Sequence, residues 1–172
     1  AQAFRRGVSS NAFTFLYLDE DLEPADPFEE LAVARYYWDV ETVFARTSWD
    51  DDASYVGLVS RPLGGHFYAE ICDRYGIGGT GHNHPEQGHF VLLGRGEVLA
   101  HDPGYTYTKE TRNHNTILVD GQGQYADGEM WPSPKPGRAR ITGFVSDDAD
   151  GITIIEADPS SAYPPELGLT RF

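Results

Sequence analysis

Five of the six histidines of this chain fall between positions 82 and 114: His82, His84, His89, His101 and His114. Asp102 and Glu86 share that window. Imidazoles and carboxylates carry protons near neutral pH and are common metal ligands. His82 and His84 stand two apart in Gly81-His82-Asn83-His84-Pro85. In extended backbone such residues face the same side. A hairpin folded about Arg95 would set Asp102 opposite Gly88, close to the loop carrying His84. His114 follows after one further excursion. Two imidazoles, a carboxylate and a water make an ordinary tetrahedral zinc set. Glu86 is available to receive the second N–H of a bound imidazole.

The same residues admit plainer readings. Histidines in loops are often surface residues, and His66, His89 and His101 read as structural or surface. Asp102 could simply cap the Pro103-Gly104 turn. Asn113 and Asn115 could be turn formers beside His114. Cys72, in an apolar stretch, reads as a buried small hydrophobe.

The elements that must position these residues are mainly strands. The chain has 19 Gly, 11 Pro, 10 Tyr and 9 Phe, a composition of turns and aromatic strands more than of long helices. Tyr36, Trp38, Val40, Thr42 and Phe44 alternate with more polar neighbours and predict one strand. Tyr55–Ser60 predicts another, and His66–Tyr75 a third. Gly88–Leu93 and Glu97–Asp102 flank Gly94-Arg95-Gly96 as a hairpin. Thr116–Asp120 reads as a strand ended by Gly121, and Arg138–Val145 with Ile152–Ala157 as a second hairpin. Strands at this spacing predict a mainly β fold, an antiparallel sandwich. Residues 1–35 differ. The acidic, proline-bearing stretch Leu16–Glu30 reads as a linker, with a helical turn around Phe28–Ala34. Leu167–Phe172 reads as a strand cut off as it begins, so the 172 residues would be a fragment.

Charge narrows the partners. There are 27 acidic and 13 basic side chains, a formal charge of -14. That argues against sequence-independent nucleic-acid binding, which neutralises phosphates with Lys and Arg. No apolar run approaches the ~20 residues of a membrane span. One cysteine excludes an internal disulfide and a multi-cysteine zinc site. No signal peptide is visible at Ala1. Lys109, Arg112, Lys135, Arg138 and Arg140 read as an ordinary solvated set.

Three segments together resemble a known family. Gly81-His82-Asn83-His84-Pro85-Glu86-Gln87-Gly88-His89-Phe90 is followed by Gly96-Glu97-Val98-Leu99-Ala100-His101-Asp102-Pro103-Gly104-Tyr105. Arg112-Asn113-His114-Asn115-Thr116-Ile117-Leu118-Val119-Asp120-Gly121 completes the set. In this order and spacing they resemble the heparinase II/III-like polysaccharide lyases, most closely over residues 80–124. A fainter likeness runs back through Val43-Phe44-Ala45-Arg46-Thr47-Ser48-Trp49.

The resemblance implies a larger enzyme in which an α/α toroid packs on an antiparallel β-sandwich. Residues 1–35 would be a linker or the end of the toroid, and 36–172 a sandwich truncated at its C-terminus. It implies His84, Asp102 and His114 as ligands of a largely structural Zn2+. It implies His82, and more weakly Tyr105, as catalytic residues facing the cleft. The reaction would be β-elimination on an acidic polysaccharide such as heparan sulfate or alginate, with further groups supplied by the toroid. A periplasmic or secreted location would follow, with a cytoplasmic one and self-association left open. Residues 1–172 alone would be inactive. The family often has an Asp soon after the His-x-His pair, where this chain has Pro85-Glu86-Gln87.

Two other classes fit part of the pattern. One is a non-catalytic carbohydrate-binding or structural β-sandwich. The other is a cupin-like metal enzyme, but its Glu would fall where this chain has Gly88, and it leaves the Asp-Pro-Gly-Tyr and His-Asn-Thr segments unexplained.

Overall fold

The computed structural model describes residues 31–77, 82–131, 138–147 and 150–169. The chain divides into units 1–32 and 33–172. Every element below lies in the second. The linker expected over 16–30 and Lys135 fall outside the described residues.

The fold is mainly β and sandwich-like, with a five-stranded and a two-stranded antiparallel sheet. The first sheet runs in chain order through β1 (Ala34–Tyr37), β2 (Thr42–Arg46), β3 (Tyr55–Val59), β4 (His89–Gly94) and β5 (Glu97–Ala100). The second pairs β6 (Arg140–Asp147) with β7 (Ile152–Asp158). Pairing register puts Val43, Leu58 and Phe90 on one face of the large sheet. Tyr36 shares that face through its pairing with Val43, and its ring meets Phe144 of β6 at 6.0 Å. That face therefore looks toward the second sheet. Val43 and Ala45 are buried there, while Phe44 between them is exposed.

The two hairpins expected about Arg95 and between β6 and β7 are present. Arg95 (φ 53) and Gly96 (φ 78) both take positive φ, as a tight two-residue hairpin turn requires. Four expectations need correction. The single strand drawn from Tyr36 to Phe44 is β1 and β2 folded back on each other, with Glu41 at φ 43 in the turn. His66–Tyr75 is a helix, α1, not a strand. Its aromatic and branched residues suggested β, but Ala69 and Cys72 are buried three apart on one helical face. Glu70 and Arg74 pair at i,i+4, and Gly76 closes the end in the left-handed conformation.

Thr116–Asp120 forms no strand. Its contact of this kind is an isolated bridge, Val119 to Gln122, around the turn at Asp120 and Gly121. The polar groups of this segment serve other partners. Thr116 donates to the Gln87 carbonyl, and the Ile117 carbonyl accepts from Tyr163. Of the segment expected as a strand over 167–172, residues 170–172 lie outside the described residues and Leu167–Leu169 is no strand. Leu167 ends a 3-10 turn at Pro165–Leu167, and both leucines pack on Ala139, Ala162 and Tyr163.

Glu41 ties the layers together. Its carboxylate accepts from Tyr36 Oη at 2.5 Å and from the Ile141 N–H at 2.8 Å, and meets His66 Nε2 at 2.6 Å. Burial first, then the Glu41 bond, hold the Tyr36 phenol well above its ordinary pKa. One buried side chain thus links β1, α1 and β6. Glu41→Ala would leave the Tyr36 hydroxyl and a buried N–H without an acceptor. It should cost about 3 kcal/mol of stability, read as a lower denaturation midpoint. A change under a third of that would mean Glu41 is not the tie between the sheets.

Candidate metal centre and cleft

β4 brings His89 to one end of the large sheet, opposite Val59. The loop before it carries His84, and the turn after β5 carries Asp102. His114 follows the 3-10 turn Thr111–Asn113. These distant segments are fixed mostly by side chains. Asn115 Nδ2 donates to the carbonyls of Phe90 and His101, at 2.9 and 3.0 Å. Gln124 accepts from the Gln87 N–H at 2.7 Å and donates back to the Gln87 carbonyl at 2.6 Å.

His84 and His114 are buried, and Asp102 is partly so. His84 Nδ1 lies 3.0 Å from His114 Nε2. The other edge of the His114 ring puts Nδ1 2.6 Å from Asp102 Oδ2. The three sequence-selected residues therefore form one chain of contacts. His89 joins them, with Nε2 3.4 Å from Asp102 Oδ2. Among the described residues, His89, Asp102 and His114 offer ligand atoms within 4.8 Å of one another, a set that could hold a metal ion.

The hydrogen bonds sort these candidates. His89 Nδ1 accepts the Asn115 N–H at 3.0 Å. In a neutral ring the proton then sits on Nε2, facing Asp102, so that nitrogen has no lone pair for an ion. His84 differs: its Nε2 is buried and has no hydrogen-bond partner. A buried imidazole nitrogen left without a partner fits a ligand better than a packing residue. From spacing alone His89 reads as structural or surface. It is buried and faces the acidic group of the site, a placement that its pairing with the strand at Val59 creates and that spacing alone does not reveal.

The electrostatics favour neutral rings beside a charged carboxylate. Burial, followed by the nearby charges of His114 and Lys109, lowers the His84 pKa against the pull of Asp102. Burial lowers His89 as well. Burial works against the charge on Asp102, but hydrogen bonds from His114 and the Gly104 N–H outweigh it and hold its pKa below the ordinary value. Burial raises Glu86, partly offset by Arg61, which lies 3.3 Å away. Glu86 is 3.9 Å from His114 Nδ1, at the edge of the cluster.

Outside this buried group, His82 and Tyr105 are exposed. Their rings stack with centroids 5.7 Å apart, and Tyr105 also touches His84 at 5.4 Å. The two residues expected to face a cleft thus stand side by side at the solvent edge of the cluster.

Comparison with known proteins gives fold information. No family model matches the chain, and no curated protein matches it. Among solved structures it is similar to a heparinase III determined with methylated lysines, at 16% identity and a TM-score of 0.51. The match covers 77% of this chain and 18% of that one. The likeness is therefore one of fold, and this chain spans under a fifth of the length of that protein.

Acid should unfold the metal-free protein through these rings. With folded pKa values below the unfolded one, His84 and His89 let the unfolded chain take up protons first on acidification. Their contribution is whole above about pH 6.5 and is lost as the pH falls below it. In chelator-treated protein, His89→Gln should flatten the fall in denaturation midpoint between neutral and mildly acidic pH. A slope identical to that of the parent would remove His89 as a source.

Proposed function

We propose that this chain is the β-sandwich portion of a polysaccharide lyase that cleaves uronic-acid-containing glycans by β-elimination. The observation that carries the reading is the chain of contacts from buried His84 and His114 to partly buried Asp102, next to the exposed His82–Tyr105 pair. The sandwich-like fold and its likeness to a heparinase III support it.

The reaction has three demands. The uronate carboxylate must be neutralised so that the adjacent C5 proton becomes acidic. A base must take that proton, and an acid must protonate the departing glycosidic oxygen. His82 and Tyr105 offer an imidazole and a phenol side by side, the two proton-handling types the reaction needs. In this reading His82 takes part in proton transfer or in neutralising the carboxylate. Further groups come from a toroidal helical domain, the partner to which residues 1–35 lead. Acidic glycans are extracellular polymers, which favours a periplasmic or secreted setting.

His84, Asp102 and His114 are a zinc set by donor chemistry, and the partnerless His84 Nε2 supports it, while the donor atoms that lie within 4.8 Å of one another are those of His89, Asp102 and His114. His89, held by Asn115, would support Asp102 from behind, as ligating carboxylates are usually supported. When bound, the ion supplies cross-linking energy between three loops, which is folding free energy. Ligation by imidazole and carboxylate would compete with protons at those groups, so metal affinity should fall as the pH falls.

In the full-length protein, His82→Ala should lower turnover by about a hundredfold or more. Turnover is read as the ultraviolet absorbance of the unsaturated uronate, with metal content unchanged. Undiminished turnover would remove His82 from the chemistry. His84→Ala should lose the ion and lower the melting temperature. His89→Ala should keep the ion with affinity weaker by about 10–100-fold. A fully folded parent that takes up no metal would favour the carbohydrate-binding sandwich instead.

A further inference from the structure

Lys109 breaks the expectation that it belongs to a solvated basic set: it is completely buried. Its Nζ donates to the Tyr107 carbonyl at 2.9 Å, the Met130 carbonyl at 3.0 Å and Tyr105 Oη at 3.4 Å. Those three acceptors use the three protons of an ammonium. All are neutral oxygens, and among the described residues no carboxylate pairs with it. The Nζ also lies 4.8 Å from the Tyr105 ring centre and 5.8 Å from that of Tyr107. A buried ammonium is costly without a counter-charge. Here three hydrogen bonds satisfy the ammonium, and among the described residues no salt bridge neutralises its charge.

Beside this charge is an exposed group of aromatic rings. Tyr105, Tyr107 and Trp131 are 57%, 61% and 62% exposed, although each is large and apolar. Tyr107 and Trp131 meet edge to face at 6.5 Å. Tyr105 links the group to His82. Exposed flat rings such as Tyr107 and Trp131 suit the C–H faces of a pyranose, and a cation beside Tyr107 without a salt-bridge partner among the described residues suits an anionic one.

We infer that Tyr107, which lies against the buried Lys109, and its neighbour Trp131 form a subsite that binds an anionic sugar residue next to the His82–Tyr105 pair. The inference deepens the lyase reading and rests on it for its place along the substrate. The rings supply contact area and Lys109 supplies the preference for charge. Because Lys109 makes its hydrogen bonds within the protein, it attracts the ligand through its field rather than by contact. A field of this kind weakens with salt.

The test is equilibrium binding by the full-length protein, followed by tryptophan fluorescence and calorimetry. The probes are an oligomannuronate, a heparin-derived tetrasaccharide and neutral cellotetraose. Tyr107→Ala and Trp131→Ala alter exposed side chains and should keep the parent melting temperature. Each should weaken an acidic probe by about tenfold, the scale of one good aromatic contact. Lys109→Met should weaken acidic probes more than the neutral one and flatten the salt dependence, with Lys109→Arg recovering part of the loss. If Lys109→Met fails to fold, the two aromatic variants and the parent's preference for acidic over neutral probes still decide.

Parent-like affinity in both aromatic variants, or equal binding of cellotetraose, would overturn the subsite. Acidic-probe binding that depends on these residues without any unsaturated product would uphold the subsite and defeat the lyase reading. Product formation that is indifferent to them would do the reverse.

Discussion

Gln124 is the side chain on which the site most depends. Its amide accepts from the Gln87 N–H and donates to the Gln87 carbonyl, as a neighbouring strand would. Its own N–H donates to Thr111 Oγ1 at 3.0 Å. One residue therefore joins the loop that carries His84 to the 3-10 turn that leads into His114. Tyr163 extends the network, accepting from Gln124 Nε2 and donating to the Ile117 carbonyl. Gln87 and Gln124 are almost fully buried, where an unmet amide is expensive, so the pairing tolerates little movement.

Charge is managed locally, against the sign of the whole molecule. A chain of net charge -14 repels a polyanion at long range. Burial holds His84 and His89 toward their neutral forms, so the histidine cluster adds little positive charge of its own. Arg112 sits near Glu110 at 3.9 Å, and Arg138 is paired with Asp73. Lys109 differs in having, among the described residues, neutral oxygens as its hydrogen-bond partners. Its field is also less screened than that of a surface lysine, because the charge lies in protein and not in water.

The sheet hairpins were legible because their turn chemistry is local. Arg95-Gly96 between two apolar runs has one low-energy solution. The helix was not, because Phe67, Ile71 and Tyr75 read as β while the boundary glycines, Gly65 and Gly76, carry the helical signal. Thr116–Asp120 misled for the opposite reason. Its β-branched residues invite a ladder, but Gln87 and Tyr163 claim its polar groups first. Among the site residues, spacing points to His82, His84, Asp102 and His114, and the family resemblance adds Tyr105. Lys109 and His89 lay hidden, because burial of a lysine and the tautomer of a histidine are decided by tertiary partners.

The paucity of apolar packing around the site explains why a cross-linking ion would be useful there. The one cluster of buried apolar residues near these loops is built on Ala139, Ala162 and Tyr163, among the described residues. The buried residues of the loops themselves are mainly polar: Gln87, Thr111, Gln124, His84 and His114. Hydrogen bonds exchanged against water return about 1 kcal/mol each, little beside the entropy of ordering segments from 82 to 124. In the lyase reading, an ion held by His84, Asp102 and His114 would add to those loop closures. It would fix the loops without entering the space occupied by His82 and Tyr105, leaving the exposed edge free for a substrate.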